Sequence, residues 1–177
     1  MPTRTLLAVV SVALVACAEQ AEPPSIRANV FDAPSRARVL DVATLVEDMS
    51  DARLESVLDD AGFAAGAERT WTDRQSDVWR TVVQGFRFDS PEGAHTYLAW
   101  IEANPSLLIG PASQVPGPGG VLVYEHEPDD CCPNKDVPGA MAVSADGDLV
   151  WIATIMGPAA DAKRMRAMLD ELEEIWN

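Results

Sequence analysis

Basic residues are scarce in this chain: Lys and Arg number 13 against 28 Asp and Glu, a formal charge of −15 over 177 residues. Such a surface repels phosphate backbones and anionic headgroups, which excludes nucleic acid as an expected partner and excludes charge as the means of reaching a membrane. Histidine is scarcer still, with His95 and His126 alone, so acid–base chemistry near neutral pH has few carriers. The sequence holds no Gly-x-Ser-x-Gly elbow and no Gly-rich phosphate loop, and His126-Glu127 is followed by Pro128 with no second His four residues on. Serine-hydrolase, nucleotide-loop and zinc-protease mechanisms therefore lack their motifs. Cysteine is limited to Cys17, Cys131 and Cys132, too few for a disulfide framework.

What is present begins at the N-terminus. Arg4 precedes an apolar run, Thr5 to Cys17 (TLLAVVSVALVAC), that ends in small residues. This is the layout of an export signal and is too short to span a bilayer. Its last residues, Leu14-Val15-Ala16-Cys17, resemble the lipobox of bacterial lipoproteins. That resemblance implies acylation of Cys17, removal of residues 1–16, and an extracytoplasmic, lipid-anchored protein in the periplasm or on the cell surface. Lipid then supplies the membrane attachment that charge does not.

Residues 17–38 are polar and carry Pro23, Pro24 and Pro34, and they read as the lipidated N-terminus and an extended tether. Residues 39–177 read as a single domain; the chain is 47% hydrophobic with five Trp, enough for a real core. Helices are expected over a short stretch near Leu45–Met49, from Asp51 to Ala61 with Gly62 as the left-handed stop, after the Ser90-Pro91-Glu92 start, and after Pro158. Strands are expected over Glu68–Thr72, Val78–Phe88, Val121–Tyr124, Ala140–Ala145 and Leu149–Met156, the last two joined by an Asp146-Gly147-Asp148 hairpin turn. The expected fold is α+β: a single antiparallel sheet of about five strands with helices packed on one face.

The densest chemistry is Glu125 to Pro133 (EHEPDDCCP). Three readings of it stand side by side. Cys131 and Cys132 form a vicinal disulfide, which strains the peptide between them and stiffens the loop tip. Or His126, Glu127, Cys131 and Cys132 hold Zn or Cu, although structural zinc sites normally separate their cysteines by a few residues. Or the thiols are free in a solvated acidic loop. His95 sits beside the buried stripe of its helix and reads as a boundary residue. Trp79 and Trp100 are candidates for an apolar ligand site on an uncovered sheet face, against the plainer reading that they complete the core.

The passage Phe86-Arg87-Phe88-Asp89-Ser90-Pro91-Glu92-Gly93-Ala94 and the strand–helix unit after Gly147 resemble small α+β domains of actinobacterial envelope lipoproteins and of membrane-kinase sensor ectodomains. The multi-disulfide bracing usual in the kinase type is missing here. The resemblance brings no catalytic residue and implies an exported, non-enzymatic binding or accessory module for a small apolar ligand or an envelope protein. The rival is a thiol- or metal-dependent role for His126, Cys131 and Cys132.

Overall fold

Strand pairing is antiparallel throughout. The computed structural model describes residues 21–126 and 137–176. Among these, β1 (Ser35–Leu40), β2 (Phe63–Thr72), β3 (Arg80–Phe88), β4 (Ala112–Val115), β5 (Leu122–His126), β6 (Gly139–Asp146) and β7 (Leu149–Met156) build one sheet. Their spatial order is β1-β2-β3-β7-β6-β5-β4. The helices are α1 (Val42–Met49), α2 (Arg53–Ala61), α3 (Pro91–Ala103), α4 (Ser106–Ile109) and α5 (Ala162–Trp176).

Local chemistry sets the helix ends. The Asp41 carboxylate accepts the Thr44 N–H at 2.8 Å and caps α1. Gly62 closes α2 in the left-handed conformation, φ 68°. Ser90 accepts the Gly93 N–H at 3.1 Å, with Pro91 in the first turn of α3. Gly93 is where α3 meets α2: a β-carbon there would stand 2.0 Å from the Ala61 carbonyl oxygen.

Each face of the sheet has its own core. On one, Leu45, Leu54, Leu58, Tyr97 and Ile101 from α1 to α3 pack on Phe86, Phe88, Met141 and Ile152. On the other, Met165, Met168 and Leu169 of α5 pack with Trp71, Val83, Val123 and Ile155. The N-terminal segment shares this second face. Arg87 donates to the Glu22 carbonyl at 3.1 Å, Arg69 to that of Ile26 at 2.9 Å, and the Trp71 indole N–H to that of Ala28 at 3.1 Å. Phe31 then meets Trp71 edge-on at 5.0 Å. The chain thus crosses from the Arg87 end of β3 to the Trp71 end of β2 before entering β1.

Two expectations are corrected. The sheet has seven strands rather than about five, and both faces are covered rather than one. The unexpected strands are the two edges. Residues 36–39 of β1 are all exposed, and β4 is only ASQV, so neither carries the apolar alternation by which a strand is read; backbone pairing with β2 and β5 holds them. The expected tether, residues 17–38, also overlaps the fold, because β1 begins within it at Ser35 and Ile26 is buried. Two-sided coverage has a signature in β7, where Val150, Trp151, Ile152 and Ala153 are all buried, a continuous apolar run in place of an alternating one.

Candidate functional site

Cys17, Glu127, Cys131 and Cys132 lie outside the described residues. His126 ends β5, and its Nδ1–H donates to the Pro111 carbonyl at 2.8 Å, which leaves Nε2 with its lone pair. Among the described residues no group of three His, Cys, Asp or Glu side chains could hold a metal. His95 is exposed on α3, with Nδ1 bonded to the Pro91 carbonyl one turn back at 2.7 Å. Trp100 is half-buried and stacks on Tyr97 at 5.8 Å, while Trp79 is 40% exposed just before β3. No ring contact joins the two tryptophans.

The structure instead gathers polar groups on three adjacent strands. Cross-strand register places Arg38 opposite Glu68 and Glu68 opposite Gln84, then Arg36 opposite Thr70, then Thr72 opposite Arg80. Side chains alternate along a strand, so all of these share the face that holds Leu40 and Phe86. Helices α1 to α3 cover the Phe86 portion of that face and leave the Arg80 end open.

Glu68 is the hub and is only 7% exposed. Its carboxylate accepts Arg38 Nε at 3.0 Å, Arg38 Nη2 at 2.9 Å, Gln84 Nε2 at 2.9 Å and the Thr70 hydroxyl at 3.3 Å. Arg38 Nη2 also reaches Asp48 of α1 at 2.6 Å, tying the edge strand to the helix layer. Hydrogen bonds to Glu68, then to Asp48, push the Arg38 guanidinium still further above its ordinary value. Every strong acceptor direction on Glu68 is thereby occupied, so the network is a scaffold of fixed charge rather than a free base.

Two concavities meet at this network and share Glu68 and Arg80 in their walls. The first, of about 160 Å³, is walled by Leu45, Met49, Val82, Leu107 and Leu108. The second, of about 750 Å³, is walled by Arg36, Arg38, Thr70, Thr72, Arg74 and Arg80. Asp73, between Thr72 and Arg74, is turned away: its carboxylate accepts the Gln75 N–H at 2.9 Å, and it lines a different recess beside Trp71. The result is a recess with one cationic end and one end where aliphatic side chains stand beside Asp48, Gln84 and Thr154, in a strongly acidic chain. Within the expected Val78–Phe88 strand, Arg80 and Gln84 are polar positions with no partner visible in the sequence. Their meaning lies in register with β1 and β2, and β1 had no sequence signal of its own.

No known protein family matches the chain, and no curated protein matches it either. Among solved structures it is similar to the extracellular domain of PknH from Mycobacterium tuberculosis, at 8% identity and a TM-score of 0.49. The match covers 80% of this chain and 82% of that one. A likeness of this strength transfers no role from that protein.

Proposed function

We propose that this protein is a lipid-anchored, extracytoplasmic binding module without enzymatic activity, which presents the open end of its sheet to a small ligand or an envelope protein. The observation that carries the reading is the apolar run from Thr5 ending in Leu14-Val15-Ala16-Cys17. Acylation of Cys17 joins the membrane to a chain that, from Glu22 onward, is bonded to the sheet. The recess between α1, α4 and the Arg80 end of β3 supports recognition, since it combines apolar walls with fixed donors. The test is the intact mass of protein extracted from membranes. A diacylated mass lacking residues 1–16, with Cys17→Ser released to the soluble fraction, supports the anchor; an unlipidated mass removes it.

A second reading, thiol or metal (Zn or Cu) binding by His126, Cys131 and Cys132, is favoured by the bond from His126 Nδ1 to the Pro111 carbonyl. That bond fixes the tautomer and orients Nε2 as a metal-ligating His is normally oriented. Native mass spectrometry with and without reduction decides between them. A metal adduct lost in Cys131→Ser/Cys132→Ser supports the second reading; thiols that resist alkylation until reduced, with no metal, support a vicinal disulfide in a binding module.

A further inference from the structure

We infer that the cationic end of the recess binds a phosphate monoester whose short apolar substituent enters the Leu45–Leu108 end. This rests on the binding-module reading and names its ligand class.

The argument starts from charge. The chain carries 28 acids against 13 bases; Arg53 makes an ion pair with Asp51 at 2.8 Å and Arg38 one with Glu68 at 2.9 Å. Arg36, Arg74 and Arg80 make none among the described residues, yet they wall one groove from β1, the β2–β3 connection and β3. Grouping three like charges is unfavourable unless an anion relieves it. A single carboxylate offers one plane and one charge. Three guanidiniums on separate segments, with the Thr72 hydroxyl beside them, match a group with two charges and several oxygen acceptors.

Arg38 belongs to the wall but not to the free charge, because Glu68 and Asp48 hold it. Glu68 in turn cannot repel the ligand strongly, since Arg38, Gln84 and Thr70 occupy its oxygens. The smaller concavity shares Glu68 and Arg80 with the cationic wall and adds Leu45, Val82 and Leu108, with Asp48 held by Arg38; at about 160 Å³ it takes a short alkyl group rather than a long chain.

The experiment is titration calorimetry of the mature protein in nonionic detergent, using inorganic phosphate and butyl phosphate. Butyl phosphate is expected to saturate, to bind several-fold tighter than inorganic phosphate, and to weaken as salt is raised. Arg36→Gln, Arg74→Gln and Arg80→Gln should each weaken it roughly tenfold, while Arg53→Gln leaves it unchanged. Each variant should keep the parent thermal midpoint, because a merely structural arginine would lower it. Absence of saturation up to about 10 mM, equal affinity for the two probes, or equal loss in Arg53→Gln overturns the assignment. Phosphatidylcholine vesicles with and without phosphatidic acid separate the sources: Arg80-dependent capture of the acidic vesicles makes the ester a lipid headgroup, and its absence alongside butyl phosphate binding makes it a soluble metabolite. Failure here is distinct from failure of the anchor. A diacylated protein that ignores butyl phosphate loses this site alone, and an unlipidated one that binds it through Arg80 loses the anchor alone.

Discussion

Arg38 and Glu68 face each other across β1 and β2 as a two-point pair, Nε to Oε1 at 3.0 Å and Nη2 to Oε2 at 2.9 Å. The geometry makes an exposed edge strand dependent on a buried carboxylate. Glu68→Ala removes the acceptor for Arg38, Gln84 and Thr70 at once. It should cost about 1–3 kcal/mol, less than a fully buried pair because Arg38 is partly solvated. Urea titration should show a lowered midpoint, and Arg38→Ala/Glu68→Ala should lose less than the sum of the single changes. Additive losses would mean that the pair contributes nothing as a pair.

Tyr97 presents the opposite case. Its ring is enclosed by Phe86 and Phe88 at 5.4 and 5.3 Å, and its buried hydroxyl has no hydrogen-bond partner among the described residues. Burial pushes its phenol above the ordinary range. Tyr97→Phe keeps the ring and removes an unpaired polar atom, so stability should rise by about 0.5–1 kcal/mol. A lowered thermal midpoint would mean that the hydroxyl has a partner after all.

The α2–α3 contact tolerates no side chain at Gly93, whose β-carbon would meet the Ala61 carbonyl oxygen at 2.0 Å. Gly93→Ala should therefore destabilise by roughly 1–3 kcal/mol through enforced separation of the helices. In an ordinary exposed helix the same change stabilises, so the sign of the shift in the urea midpoint is the test.

Acid should loosen the start of α1. The Asp41 carboxyl is held below its ordinary value of 3.8 by hydrogen bonds from Thr44, side chain first and then backbone. A carboxyl depressed in the folded state contributes stability above its unfolded pKa and loses it as pH falls through the folded one. The contribution is thus intact at neutral pH and disappears below about pH 3.8. Asp41→Asn should flatten that part of the acid-unfolding curve, and a carboxyl resonance of Asp41 titrating above 3.8 would contradict the cap.

How much of this was legible in the sequence depended on whether a feature is local. The Ser90-Pro91 start of α3, the Gly62 stop of α2 and the Asp146-Gly147-Asp148 turn are chemistry within a few residues, and all stand where the residues put them. The two edge strands were not legible, because β1 is exposed and β4 is short, and a strand without an apolar face has no period to read. The recess was hidden for the same reason. Arg36, Thr72 and Arg80 are separate in sequence and become neighbours only through a register that β1 and β2 create together. Helix α5 shows a further limit: its Met165–Met168–Leu169 stripe marks a buried side without telling which face of the sheet buries it.

The bond from Arg87 to the Glu22 carbonyl has a consequence for standoff. With acyl chains on Cys17 as proposed, only five residue steps separate the lipid from that bond, a leash of roughly 18 Å at full stretch. The domain must ride close to the bilayer by its Arg87 end. Arg80 lies seven residues away along β3, about 23 Å toward the other end of the sheet. On that anchor the recess would stand at the end of the sheet away from the leash.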